Sequence, residues 1–241
     1  MPVVISQYQP EVAKVFKNKA LAENALLIFA SKVYKRVSHI WNNNYLYASY
    51  EESEALTIHN YCLDLTGSYQ LKNLPGVIKT LELARVNGFE KLNPESNYKA
   101  LKQVKNRTGL LGRWQVVSEQ PLTIIDTGHN EDGVAEVIDN INRQTYKQLH
   151  IVLGMVNDKD INAVLKLFPS NAKYYFTKAS IPRALNQNEL KQKANVVGLH
   201  GKAYATVKDA WQQAKKVAEV NDLIFIGGST FIVADALQIS N

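Results

Sequence analysis

The sequence predicts an α/β fold in two parts. Residues 109–241 form a mostly parallel sheet with helices on both faces, and residues 1–108 form a separate region before it. Two observations carry this reading. From about residue 113, short apolar runs alternate with segments of helical spacing, the pattern of a parallel sheet covered on both sides. Residues 33–73 instead alternate loosely and are rich in Tyr, Ser and Asn, which reads as short antiparallel strands and turns.

The elements follow in order. Pro2 to Ser6 reads as a buried strand, Glu11 to Glu23 as a helix and Ala25 to Ala30 as a second buried strand. Opening directly on a core-like strand suggests a chain whose beginning lies elsewhere. Leu65-Thr-Gly67-Ser-Tyr69-Gln70 reads as a strand end and turn. Leu74 to Gly88 reads as a helix with Pro75 at its start and Gly88 at its end, and Pro94 to Lys105 as another. Beyond these come strands Leu122 to Ile125, Leu149 to Leu153, Tyr174 to Thr177 and Leu223 to Ile226. Helices Glu131 to Gln144, Asp160 to Phe168, Asn188 to Ala194, Val207 to Val220 and Thr230 to Leu237 lie between and after them. Ligands of such sheets sit at the carboxyl ends of the strands, so functional residues should directly follow Ile125, Leu153, Thr177 and Ile226.

Composition narrows the function classes. The chain has 241 residues, 28 Lys+Arg against 22 Asp+Glu, and is 46% apolar, all ordinary for a soluble globular protein. Its single cysteine, Cys62, excludes an internal disulfide framework and fits a cytosolic setting. No stretch reaches the roughly 18–20 apolar residues that span a bilayer, and Met1 to Gln7 lacks the form of a secretion signal. Most of the +6 net charge falls before residue 109, yet the basic residues there are scattered. Without a dense basic tract and interleaved aromatics, nucleic acid is not expected as a partner, nor is a membrane.

The strand ends do carry chemistry-bearing residues. After Ile125 comes Asp126-Thr-Gly128-His129-Asn130 and a helix. Gly128 permits a tight turn, Asn130 can cap the helix, and Asp126 can take a hydroxyl pair or a metal-bound water. His129 stands at a helix N-terminus, which attracts phosphate. The bland alternative is a helix-capping loop with an incidental Asp and His. Upstream, Arg113 follows Gly112 and can offer a bidentate fork to phosphate, though an ordinary surface Arg is the default. After Leu153 come Gly154-Met-Val-Asn-Asp158-Lys159-Asp160, a helix cap with one cation. After Ile226 comes Gly227-Gly228-Ser229-Thr230, a turn suited to an anion or polar ligand but without dinucleotide spacing.

Other motifs fail. Gly198-Leu-His-Gly201-Lys202-Ala203 lacks the spacing of a phosphate loop, and no Walker A sequence or nucleophile elbow occurs. His59 and Cys62, three apart, are compatible with metal ligation but have no further ligands nearby. His39, His150 and His200 stand alone, and a structural role is expected for all of them.

Taken together, these residues resemble the folylpolyglutamate synthase and dihydrofolate synthase family of Mur-type ligases. Leu65-Thr-Gly67-Ser-Tyr69-Gln70…Asn73 looks like a family segment near the end of the central domain. Gly112-Arg113 looks like the family's Pro-Gly-Arg linker, with Leu111 in place of Pro. Asp126-Thr-Gly128-His129-Asn130 looks like its Asp-Gly-Ala-His-Asn box. Gly154-Met…Asp158-Lys159-Asp160, Pro182-Arg183-Ala184 and Gly228-Ser229 follow in the family's order.

The resemblance implies a Rossmann-like C-terminal domain of Mur ligase type over 109–241. It is preceded by the tail of the central ATPase domain over 1–108. It also implies that ATP phosphorylates a carboxylate of folate or dihydropteroate, and that the amine of L-glutamate displaces phosphate from the acyl phosphate as two domains close. Arg113, Asp126, Asn130 and Lys159 would contact ATP, and His129 and Ser229 would lie near the reacting groups.

The family's Gly-Lys-Gly-Ser loop, Mg²⁺ ligands and modified Lys would lie upstream of Met1. The resemblance therefore implies a portion that needs a missing N-terminal ATPase part and is inactive alone. An unpaired edge of the central sheet is expected to favour aggregation or association. Two alternatives stay open: a non-catalytic nucleotide- or folate-binding module, and part of another Mur-type ligase acting on a peptidoglycan precursor.

Overall fold

The computed structural model describes residues 1–157 and 161–240. The chain divides into two compact units, Met1–Leu110 and Leu111–Asn241.

The first unit opens with a parallel pair, β1 (Val3–Ile5) and β2 (Leu27–Phe29), joined by helix α1 (Pro10–Ala22). Pro10 sits in the first turn of α1, where its missing N–H has no helical partner to lose. After the short α2 (Ala30–Val33) comes an antiparallel sheet of β3 (Tyr34–Asn42), β4 (Tyr45–Glu52) and β5 (Thr57–Leu63), in that order. Its first hairpin turns through Asn43 and Asn44, both at positive φ (48° and 62°), the left-handed pair that a two-residue loop needs. Period-two burial follows along β4: Leu46, Ala48 and Tyr50 face the core.

Helix α3 (Gln70–Val86) lays Leu71, Leu74 and Ile78 on that face. This corrects the expected helix start. Pro75 lies inside α3 rather than at its first position, because other groups compensate for the missing N–H. Proline at 75 cannot donate to the carbonyl of Leu71, and the buried Tyr50 hydroxyl donates to that oxygen at 2.6 Å instead. The Ser6 hydroxyl bridges the same turn, donating to Lys72 O at 2.8 Å and accepting from Gly76 N–H at 3.2 Å. The segment expected as one helix from Pro94 is two, α4 (Pro94–Leu101) and α5 (Val104–Thr108).

The second unit begins with an antiparallel hairpin, β6 (Gln115–Glu119) and β7 (Leu122–Asp126). It continues with α6 (Glu131–Asn142), β8 (Leu149–Leu153), α7 (Ile161–Leu165), β9 (Lys173–Phe176) and α8 (Gln187–Val196). Then come β10 (Gly201–Ala203), α9 (Val207–Val217), β11 (Leu223–Gly227) and α10 (Thr230–Ser240). The six strands order as β10-β9-β8-β11-β7-β6, all parallel except β6.

β8 and β11 are buried throughout, which is why they read as unbroken apolar runs. Alternate residues feed two cores. Ile151, Leu153 and Phe225 pack with α6, α7 and α8; Val152, Ile224 and Ile226 pack with α9 and α10. β7 and β8 both lead into helices of the first set, while β11, between them, leads into α10 on the other face. The loops therefore part above β11, which makes a crevice at the carboxyl ends of these strands.

Candidate functional site

The floor of the crevice depends on close approach of three loops. A Cβ on Gly154, after β8, would stand 2.3 Å from Ile232 Cδ1 and 2.8 Å from the Thr177 carbonyl oxygen. Gly228, after β11, has φ +90°, and a Cβ there would come within 2.8 Å of Gly154 O. Main-chain bonds tie the loops together: Gly154 N–H to Gly227 O at 3.3 Å and Thr177 N–H to Leu153 O at 2.9 Å. The loop after β8 is also pinned by the Pro182-Arg183-Ala184 segment. Asn157 N–H donates to Arg183 O at 3.2 Å and Leu185 N–H to Met155 O at 2.9 Å.

Above this floor lies a cavity of about 430 Å³, a size suited to a small molecule. His129, Asn130, Glu131 and Asp132 line one side, and Met155, Val156, Ile161, Val164 and Gly228 complete it. His129 is exposed, and its Nδ1 lies 3.0 Å from the Thr127 carbonyl oxygen. A carbonyl only accepts, so Nδ1 carries the hydrogen and Nε2 of the neutral ring holds the lone pair. Asn130 caps α6, its Oδ1 accepting from Gly133 N–H at 2.8 Å.

Glu131 and Asp132 fill the first turn of α6 and face the same cavity. They change the expected electrostatics. With the cap made and two carboxylates present, this helix N-terminus favours a cationic group over phosphate. Sequence reasoning passed over both acids, although carboxylates one and two places after a capping Asn mark a helix start.

Asp126 is buried rather than turned to solvent. Its Oδ2 accepts from Trp114 N–H at 2.7 Å and its Oδ1 from Gly128 N–H at 2.8 Å. The Gly112-Arg113-Trp114 segment is thereby clamped to the end of β7, with Thr127 N–H donating to Gly112 O at 3.0 Å. Gly112 has φ +72°, and a Cβ there would stand 2.6 Å from Val233 Cγ1. Trp114 also holds a left-handed backbone (φ 47°) and stacks its buried ring against Phe225. Arg113, between these two fixed residues, is half-buried.

Ser229 is buried, and its Oγ accepts from Phe231 N–H at 3.2 Å at the start of α10. The fold thus brings His129 and Asn130 into one cavity, while Asp126, at the end of β7, ties down the segment that carries Arg113. Ser229, next in sequence to Gly228, does not line the cavity. Lys159, together with Asp158 and Asp160, lies outside the described residues. Among the described residues no three His, Cys, Asp or Glu side chains gather to hold a metal ion. Cys62 pairs across β4 with Tyr47, while His59 lies 3.6 Å from the Glu52 carboxylate. The two do not form a common site.

His150 does not stand alone, contrary to the sequence reading. At the opposite end of the sheet its Nδ1 lies 2.9 Å from the Tyr175 hydroxyl and its Nε2 3.2 Å from Asp222 Oδ2. Burial pulls the imidazole below its ordinary value, against the pull of Asp222. Burial would raise the Asp222 carboxyl, but hydrogen bonds from Glu219 N–H and His150 outweigh it and hold the group low.

Comparison with known proteins adds a family. Residues 112–230 match the family described as Mur ligase, glutamate ligase domain. The chain is similar to the dihydrofolate synthase/folylpolyglutamate synthase of Buchnera aphidicola, at 30% identity over 151 residues, which take in 61% of this chain and 35% of that protein. E. coli FolC in complex with DHPP and ADP shares the fold, with TM-score 0.76, 22% identity, and 99% of this chain against 52% of that one. So does the bifunctional folylpolyglutamate synthase/dihydrofolate synthase of Yersinia pestis complexed with AMPPNP and Mn ion. Its TM-score is 0.74 at 22% identity, again over 99% and 52% of the two chains. The chain thus spans about half the length of these structures.

Proposed function

The chain belongs to the folylpolyglutamate synthase/dihydrofolate synthase family of Mur ligases, and on that premise we propose that it serves an ATP-dependent amide ligase. The enzyme adds L-glutamate to folate or dihydropteroate through an acyl phosphate. The observation that carries the reading is the crevice cavity, where His129 stands beside two carboxylates at the carboxyl ends of β7, β8 and β11.

The chemistry of those side chains fits the second half of the reaction. Glutamate arrives as an ammonium, which Glu131 and Asp132 attract. To attack the acyl carbon its nitrogen must give up a proton, and Nε2 of His129 is the lone pair placed to take it. The C–N bond then forms as phosphate leaves with the electrons of its C–O bond, and the departing phosphate takes the second proton that the nitrogen must lose to become an amide. Polyphosphate is disfavoured beside the acids, so we assign ATP to the Arg113 side, with Lys159 as a further contact. Asp126 acts there by holding the Arg113 segment, Asn130 by fixing the His129 turn, and Ser229 by setting the start of α10 under the incoming glutamate. The upstream phosphate loop is required for ATP to react, and this chain alone does not turn over.

The test has two readouts. The pure chain with dihydropteroate, ATP and L-glutamate yields no glutamylated product by mass spectrometry. Yet L-glutamate shifts the amide resonances of residues 128–133, and His129→Ala weakens that response. Turnover by the chain alone refutes the inactivity; unmoved resonances refute the glutamate site. A non-catalytic binding module is the second reading. Fusing the upstream half of a family member to Met1 separates the two, since only the ligase reading expects glutamate addition.

A further inference from the structure

The first unit holds a cavity of its own, about 470 Å³, between α3, α4 and the β4–β5 strands. It shares no lining residue with the crevice of the second unit. Nε2 of His59 is buried there without a hydrogen-bond partner. Such an atom carries a free-energy cost that a ligand can relieve.

An imidazole nitrogen can be matched by a donor or by an acceptor, and its surroundings choose between them. Glu52 Oε2 stands 3.6 Å from Nε2, beyond a direct hydrogen bond. An acceptor or an anion placed against Nε2 would therefore face a carboxylate, whereas a positively charged donor would be drawn to it. Glu82, on the same wall, accepts from the Tyr34 hydroxyl and from Lys79 at 3.0 Å, so its charge is already met. One nitrogen bearing three N–H bonds can reach both Nε2 and Oε2 at ordinary lengths of about 2.9 Å. The remaining walls are hydrocarbon and aromatic. Ile78, Leu83 and Leu101 line them, with the rings of Tyr61 and Tyr98 stacked at a centroid distance of 5.0 Å and an angle of 18°. Such walls bury an apolar body, and tyrosine faces favour a nearby cation.

We propose that this cavity binds a primary ammonium ion carried on a small aliphatic or aryl body, its nitrogen held between Nε2 of His59 and the Glu52 carboxylate. His59 takes the Nδ1–H tautomer, which leaves the lone pair on Nε2. The same chemistry selects against three other classes. Carboxylates and phosphates are repelled by Glu52. A neutral alcohol brings a donor but no charge. A quaternary ammonium brings charge but no N–H for Nε2. The site goes beyond the glutamate reading and does not rest on it.

The experiment titrates the full ¹⁵N-labelled chain with 2-phenylethylammonium, at a pH above the ordinary imidazole value of about 6.5. Three analogues keep the same body: 2-phenylethanol, 3-phenylpropionate and trimethyl(2-phenylethyl)ammonium. The primary ammonium is expected to shift the amides of Glu52, His59 and Tyr98 and to bind about tenfold or more tighter than each analogue. Side-chain ¹⁵N spectra should show Nε2 without a hydrogen before binding and moved by it. His59→Phe keeps a ring but deletes the acceptor, and Glu52→Gln removes the charge; each weakens binding about tenfold or more. The proposal is overturned if the primary ammonium leaves these residues unmoved, in which case water alone matches Nε2. It is equally overturned if an analogue binds as tightly, if Nε2 carries the hydrogen in the free protein, or if both folded variants bind as the parent does. The analogue series uses the parent chain, so it decides even where a variant does not fold. Because the readout lies in the first unit, failure here leaves the glutamate reading of the second unit standing, and the reverse also holds.

Discussion

Tyr50→Phe tests how α3 tolerates proline at position 75. The substitution keeps the ring, so no cavity opens, and it deletes only the hydroxyl that donates to Leu71 O at 2.6 Å. Tyr50 is 1% exposed, and burial pushes its hydroxyl up to about 12, so the donor is present at any working pH. Without it the Leu71 carbonyl is buried and cannot be served by residue 75. Leaving such a group unmatched costs about 1–3 kcal/mol. Pro75→Ala restores an N–H at the position that normally donates to residue 71. Its value should therefore be larger in the Tyr50→Phe background than in the parent, where the oxygen already has a donor. A double-mutant cycle should give a coupling of about 1 kcal/mol, read by native-state hydrogen exchange of the α3 amides, which isolates this unit from the other. Additivity within about 0.5 kcal/mol would refute the claim that Tyr50 stands in for the missing donor.

Three further outcomes are expected. The neutral His150 should make stability depend on pH: its folded value lies below the ordinary 6.5, so the unfolded chain binds more protons and stability falls as pH drops through 6.5. Asp222, held below 3.8, extends the loss in the same direction at lower pH. Urea denaturation across this range should show the slope, and His150→Asn should flatten its upper part; a slope of opposite sign sinks the assignment. Gly154→Ala should cost about 1–3 kcal/mol, because the Thr177 carbonyl 2.8 Å from the new carbon is main chain and cannot swing aside; parental stability would mean that the crevice floor is looser than its geometry. Asp126→Asn turns one acceptor into a donor facing an N–H. Hydrogen exchange should then rise together at residues 112–115 and 127–130, whereas a rise in only one segment would show that Asp126 does not join them.

What was legible in the sequence follows from where strands lie in the sheet. β8 and β11 are buried on both faces, so Leu149–Leu153 and Leu223–Gly227 read as apolar runs without help from other residues. β6 and β10 are the two edges. β6 exposes Val116 and ends in polar residues, and β10 is only Gly-Lys-Ala, so neither carries a local signal. Pro75 misled for a related reason: its compensation comes from Tyr50 and Ser6, 25 and 69 positions earlier in the chain. The site shows the same division. Residues after strand ends could be listed from the pattern alone, but which way they face could not. Ser229 turns inward to its own helix, and the partner of Asp126 lies across the hairpin at Trp114.

Under the proposed function, that hairpin would let one loop serve two chemistries. Asp126 accepts from Trp114 N–H with one oxygen and from Gly128 N–H with the other. Arg113 precedes the first donor by one residue and His129 follows the second by one. A single buried carboxylate therefore fixes the spacing between a guanidinium suited to phosphate and an imidazole suited to an amine. Each of its oxygens thus accepts a main-chain N–H. The acids at the start of α6 then divide the crevice by charge, repelling phosphate from the imidazole side while leaving the guanidinium side open to it. Under the function proposed above, the order of ligands along the strand ends would be set by electrostatics that begin at Asp126 and end at Asp132, within seven consecutive residues.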